Sequence, residues 1–169
     1  MTGCVYWITG LAGTGKTAVG QALVDLLRRE RPDIVFLDGD TLRAVFGGRH
    51  GYEYQDRLHL ASSYARLCKM LADQKLTVVC ATVSMIEEVR EWNRSNIGRY
   101  REIYLTAPEA LLKERRSFYT DGSDPRLVVG QDPRYELPKT PDVIVHNDGS
   151  RSPEEIARSI LLVAGEGRQ

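Results

Sequence analysis

An α/β fold with helices on both faces of a mainly parallel sheet is predicted by three observations. The run Cys4-Val5-Tyr6-Trp7-Ile8-Thr9 is rich in strand formers and leads into Gly10-Leu11-Ala12-Gly13-Thr14-Gly15-Lys16-Thr17, which matches the phosphate-cradling pattern G-x-x-x-x-G-K-[ST]. Ala18, Val19, Ala22, Leu23, Leu26 and Leu27 then recur at helical spacing. Short apolar runs and helical patterns go on alternating along the chain, and that alternation builds a parallel sheet covered by helices.

The elements follow in order. Ile34-Val35-Phe36-Leu37 reads as a second strand ending at Asp38-Gly39-Asp40, with a short helix from Thr41 to Phe46 and a loop over Gly47-Gly48-Arg49-His50-Gly51. A long helix is predicted from Tyr54 to Gln74, burying Leu58, Ala61, Ala65, Cys68 and Leu71 or near neighbours. Leu76-Thr77-Val78-Val79-Cys80-Ala81 is a third strand, Met85 to Asn96 a helix, Glu102-Ile103-Tyr104-Leu105 a fourth strand and Pro108 to Arg116 a helix. Residues 117–141 carry Asp, Gly, Ser and four prolines with little periodicity. A loop of that length inside a compact domain is usually functional, and a lid is expected there. Val143-Ile144-Val145 is a short fifth strand. Ser152-Pro153-Glu154-Glu155 reads as a capping box with proline at the first helical position, opening a helix that runs to Val163.

Composition bounds the function classes. A chain of 169 residues suits one domain spanning its whole length. Lys+Arg and Asp+Glu are both 23, so charge gives no case for nucleic acid or a membrane surface as partner. No apolar run approaches the roughly 20 residues of a membrane span, and a strand begins too early for a signal peptide, so a cytoplasmic location is expected. The three cysteines and three histidines lack metal-ligand spacing. Small buried thiols in a reducing compartment are the expected state of the former.

The glycine-rich loop allows main-chain N–H groups to surround an anion, together with the N-terminus of the following helix. Lys16 can reach the β- and γ-phosphates of ATP, and Thr17 offers a hydroxyl to Mg²⁺. In parallel sheets ligands gather at the carboxyl ends of the strands. That selects the P-loop, Asp38 to Arg43, Thr82 to Ser84 and the 117–141 segment. A carboxylate at Asp40 could order the metal's water shell or take a proton from an attacking hydroxyl. Arg43, three residues on, could grip an anionic group bidentately. The competing reading has Asp40 capping the short helix and Arg43 solvated.

With these residues in place, the chain resembles the adenylyl-sulfate (APS) kinase family over nearly its full length. The family's L-D-G-D-x-x-R motif matches Leu37 to Arg43, and its D-R at the start of a long helix matches Asp56-Arg57. Gly51-Tyr52 stand where the family has Gly-Phe, and Ser84 falls on the serine of its F-I-S-P segment. Gly130, Asp132, Tyr135, Glu136 and Pro138 match G-x-D-x-x-Y-E-x-P. The resemblance implies a P-loop NTPase fold with a lid, and transfer of the γ-phosphoryl of ATP to a ribose 3′-hydroxyl. It implies catalytic roles for Lys16 and Asp40, and Mg²⁺ held by Thr17 and Asp40. ATP would lie on Gly10 to Thr17, with Arg115 and Arg116 from the lid's root. Asp38, Arg43, Tyr52, Arg57, Ser84 and Val128 would line the acceptor. The family serine at Ser84 has been proposed to carry a phosphoryl group, but in-line transfer needs none, so a hydrogen-bonding role at the strand end is expected.

The departures fall on the acceptor side. Leu60 stands where the family has a substrate-binding asparagine, Ser62 and Ser63 replace arginines, and Met85 replaces a proline. Val128 occupies the position of a second clamp aromatic and Leu127 that of a lysine. Val83-Ser84-Met85 to Trp92-Asn93-Arg94 is similar to APS-kinase-like proteins of capsule and surface-polysaccharide clusters, one branch of which resembles cytidine diphosphoramidate kinase. Trp92 also fits an ordinary amphipathic helix. The expected function is APS phosphorylation, with cytidine diphosphoramidate as the alternative acceptor and a non-catalytic nucleotide-binding protein as the second alternative. ATP and a small nucleotide are the expected partners, and a homodimer stays open. An ATPase of the motor type is disfavoured, because the third strand ends in Cys80-Ala81-Thr82 without a hydrolytic carboxylate.

Overall fold

β1 (Val5–Thr9) is buried at every position and lies at the centre of the sheet. The structure is a computed structural model that describes residues 3–46, 53–117 and 135–164, with the side chains of residues 116 and 117 outside that set. The remaining elements are α1 (Lys16–Arg28), β2 (Ile34–Asp38), α2 (Gly39–Val45), α3 (Tyr54–Asp73), β3 (Thr77–Ala81), α4 (Glu87–Asn96), β4 (Tyr100–Thr106), α5 (Glu109–Ser117), β5 (Val143–His146) and α6 (Pro153–Val163).

The five strands run in the order β2-β3-β1-β4-β5, and every described pairing is parallel. Successive side chains of a strand point to opposite faces, so β1 feeds two cores. Tyr6 and Ile8 pack with Val19, Leu23 and Leu27 of α1 and Ile156 and Ile160 of α6. Val5 and Trp7 pack with Ala61, Ala65 and Cys68 of α3 and Val89 of α4. The fold is the expected P-loop NTPase architecture, with the sheet wholly parallel.

Several boundaries shift for tertiary reasons. β4 starts two residues early, because Tyr100 and Arg101 pair with Val5 and Tyr6. α2 starts at Gly39 and not at Thr41, because Asp38 accepts hydrogen bonds from the main-chain N–H groups of Asp40 and Thr41. The cap of that helix is thus Asp38, and the reading of Asp40 as its cap is corrected. α3 buries Leu60, Ala61, Tyr64, Ala65, Cys68 and Ala72. Leu58 and Leu71 sit half-buried at the edge of that core, so the buried stripe is rotated slightly from the expected one. Ala18 is exposed. All three cysteines are buried free thiols. The predicted loop at residues 47–51 and most of the predicted lid lie outside the described residues.

Candidate active site

The carboxyl edge of the sheet opens into a cavity of about 810 Å³. It collects Lys16, Thr17, Asp38, Asp40, Arg43, Arg57, Ser84 and Arg115, the residues singled out from the sequence. Tyr52, the side chain of Arg116 and Val128 lie outside the described residues.

The P-loop is shaped by what holds its carbonyls. Leu11 O accepts from Thr14 Oγ1 at 2.9 Å and from Lys16 Nζ at 2.8 Å. Gly13 O accepts from Arg115 Nη1 at 2.8 Å, and Thr14 O from Asn147 Nδ2 at 2.9 Å. A trans peptide directs its N–H opposite to its C=O. Fixing these carbonyls orients the loop's peptide planes, which is what an anion cradle of main-chain N–H groups requires. Gly15 has φ +93°, and a Cβ there would lie 2.8 Å from Asn147 Nδ2. A Cβ at Gly10 would lie 2.2 Å from Leu105 O, so only glycine lets the loop leave β1 beside β4. Lys16 is buried on the loop.

Asn147 was not found by sequence reasoning. It directly follows β5, at the strand edge where ligands gather, and that position was the one signal available. The site's second pair is Thr17 and Asp38. Thr17 Oγ1 donates to Asp38 Oδ2 at 2.7 Å. The carboxylate beside the P-loop hydroxyl is thus Asp38, while Asp40 stands exposed in the first turn of α2. Among the described residues no group of three His, Cys, Asp or Glu could hold a metal by itself. One hydroxyl and one carboxylate next to a phosphate cradle fit Mg²⁺, which usually completes its shell with water and substrate phosphates.

One wall of the cavity is built on a single stripe of α3. Arg57, Leu60, Ala61 and Tyr64, spaced by three and four residues, all line the cavity. Leu60 and Tyr64 are buried, and burial pushes the Tyr64 phenol up to about 12. The Arg57 guanidinium lies over the Tyr135 ring, 4.9 Å from its centroid. Ser84 has φ +22°, and its hydroxyl shares a hydrogen bond with Thr82 Oγ1 at 2.8 Å. Beneath this wall, α4 carries two buried polar side chains, Arg90 and Asn93. Arg90 pairs with Glu87 and donates to Glu136 O at 2.8 Å. Arg94 donates to the buried Glu102 carboxylate at 2.8 Å. Trp92 is half-buried with the Arg66 guanidinium over its ring, as an amphipathic helix requires.

An ammonium, the guanidinium groups of Arg43, Arg57 and Arg115, a phosphate cradle and two carboxylates in one cleft suit a polyanion and a proton transfer. The profile of the adenylylsulphate kinase family matches residues 2–146. This chain belongs to the adenylylsulphate kinase family. It is 34% identical over 161 residues to the cytidine diphosphoramidate kinase of Campylobacter jejuni, covering 93% of this chain and 94% of that protein. It is 31% identical over 171 residues to a probable adenylyl-sulfate kinase of Pyrococcus abyssi, covering 98% and 97%. The APS kinase of Mycobacterium tuberculosis, solved with AMPPNP and APS, shares the fold with a TM-score of 0.85 at 24% identity, over 97% of this chain and 98% of that one. Family membership makes the protein an ATP-dependent phosphotransferase, a nucleotide kinase.

Proposed function

We propose that the whole chain is one catalytic domain that moves the γ-phosphoryl group of ATP to the ribose 3′-hydroxyl of an activated nucleotide. The observation that carries the reading is the convergence of the P-loop with Asp38, Asp40, Arg43 and Arg57 on one cavity. The acceptor oxygen attacks the γ-phosphorus, the bond to the ADP oxygen breaks, and the hydroxyl proton passes to Asp40. Arg43 and Arg57 approach from α2 and α3 and grip the acceptor's anionic group. Lys16, the loop N–H groups, Arg115 and Arg116 hold the donor phosphates. Thr17 and Asp38 would hold Mg²⁺, with Asp40 able to order its water, and the ion would supply charge neutralisation to the donor phosphates. Tyr52 and Val128 complete the acceptor's surroundings in this reading.

APS is the acceptor implied by the family. Cytidine diphosphoramidate is the second reading, favoured by a specific feature: buried Leu60 lines the cavity where the family resemblance expects a substrate-binding asparagine. A site short of one amide leaves an adenylyl-type acceptor without a partner worth about 1–3 kcal/mol. The relative in C. jejuni supports the same choice. No described helix is long and apolar enough to cross a membrane. The balanced charge gives no electrostatic case for a membrane surface or nucleic acid as partner, and in this reading the protein is a cytoplasmic enzyme that could pair as a homodimer.

A coupled ADP-release assay with each nucleotide in turn, read alongside the mass gain of one phosphoryl group, tests the reading. Acceptor-dependent release is expected. Equal release without acceptor would mark an ATPase, and none under any condition a binding protein.

A further inference from the structure

Residue 136 is tied down three ways at the start of α4. Its N–H donates to Met85 O at 3.1 Å, its C=O accepts from Arg90 Nη2 at 2.8 Å, and its carboxylate accepts from the Glu87 N–H at 2.6 Å. The last bond stands in for a missing cap, because the N-cap position of α4 is Ile86, which makes no side-chain hydrogen bond. Arg90, the main-chain anchor, is itself buried and paired with Glu87. The neighbouring residue, Tyr135, lines the acceptor cavity with the Arg57 guanidinium 4.9 Å from its ring centroid.

We propose that Glu136 is a positioning residue. By locking its segment to the start of α4 it sets Tyr135 against Arg57 and keeps that guanidinium ready for the acceptor's anionic group. The proposal rests on the reading of this cavity as a nucleotide acceptor site. Its physical basis is preorganisation. A free arginine loses rotamer freedom when it grips an anion, and a guanidinium already stacked on a fixed ring loses less. Tyr135 can hold Arg57 only as firmly as its own backbone is held, and the three bonds at residue 136 supply that hold. Glu136 touches neither reacting atom nor donor phosphate in this scheme, so its effect belongs to acceptor binding.

The experiment combines kinetics with a spectroscopic signal that needs no turnover. In Glu136→Ala the acceptor KM, with APS and with cytidine diphosphoramidate, is expected to rise about tenfold and the ATP KM to stay within about twofold. Glu136→Gln, whose amide oxygen still accepts from the Glu87 N–H, is expected to recover most of the acceptor affinity. In a Tyr135→Leu background, Glu136→Ala should add little, because the two act through one chain. By NMR, the ring-shifted Arg57 side-chain signals should move in Glu136→Ala toward their Tyr135→Leu positions. Unchanged Arg57 signals, an equal rise in both KM values, or full additivity with Tyr135→Leu would overturn the proposal. Absence of transfer to either nucleotide by the wild type would overturn the acceptor reading instead, and the Arg57 signals alone would then decide whether Glu136 sets that side chain.

Discussion

At the scale of single residues, the proposed mechanism separates groups that hold from groups that react. Lys16 is buried against the loop it serves, with Nζ on Leu11 O, so its charge is already beside the phosphate cradle. Lys16→Ala is expected to reduce transfer at least about a hundredfold while the fold survives, since the side chain belongs to the ligand site and to neither core. Retention of more than about a tenth of the activity, a barrier change below roughly 1.4 kcal/mol, would remove Lys16 from its role. Arg43→Ala and Arg57→Ala are expected to raise the acceptor KM by about 10- to 100-fold and leave the ATP KM nearly unchanged, the size of one lost charged hydrogen bond. Asp40→Asn should lower kcat instead, because an amide cannot take the hydroxyl proton. Steady-state kinetics with each substrate varied in turn reads all three. Parallel losses for ATP and acceptor in both arginine variants would show that the acceptor side has been assigned to the wrong wall.

At the scale of elements, helix ends decide where functional groups lie. Asp38 caps α2 and also accepts from Thr17, so one carboxylate orients the helix bearing Asp40 and Arg43 and meets the P-loop helix. The capping box of α6 offers a cleaner measurement, because neither Ser152 nor Glu155 lines the cavity. Ser152 Oγ accepts from the Glu155 N–H at 3.2 Å, and Glu155 Oε2 accepts from the Ser152 N–H at 2.7 Å. Ser152→Ala should cost about 1 kcal/mol of stability with activity retained. The bond from the Ser152 N–H, and then the Ser152 side chain, hold the Glu155 carboxyl below its ordinary 4.5. The folded state therefore binds that proton more weakly than the unfolded state. The contribution is present above pH 4.5 and fades as pH falls through the lowered value. Glu155→Gln should flatten the acid side of the Tm–pH curve. An unchanged acid slope would mean that the box does not survive in solution.

At the scale of the whole molecule, a polar network with Arg90 and Glu102 buried at its centre joins α4, β4 and the segment returning to β5. Arg90 meets Glu87 and Glu136 O, Arg94 meets Glu102, and the Glu102 N–H donates to Asp142 Oδ2 at 2.7 Å. Burial pushes the Glu102 carboxyl above its ordinary 4.5, while Arg94 and Arg90 pull it back. Arg90→Met should cost about 3–5 kcal/mol in urea unfolding, because it removes the buried partner of Glu87, takes a donor from Glu136 O and leaves Glu102 with less compensation. A loss below about 1 kcal/mol would show that water replaces the guanidinium. This network has no local signature. Glu87-Glu88-Val89-Arg90 reads as a solvated helix face, and only the packing of α4 against β4 makes Arg90 and Glu102 interior residues.

The sequence by itself determined the alternation of strands and helices, the P-loop and the clustering of Asp38, Asp40, Arg43 and Ser84 at strand ends. Those features are local, since a glycine at positive φ, an apolar run of period two or a capping serine acts within a few residues of itself. The resemblance of the motifs carried the family and the placement of Arg57. Only the tertiary structure decided which carboxylate touches Thr17, that Asn147 and Arg115 brace the P-loop from β5 and α5, and that Arg57 rests on Tyr135. Each of those depends on which elements become neighbours. In a parallel sheet every neighbour is reached by a crossover, so the partners stand far apart in the chain and no short-range pattern records them.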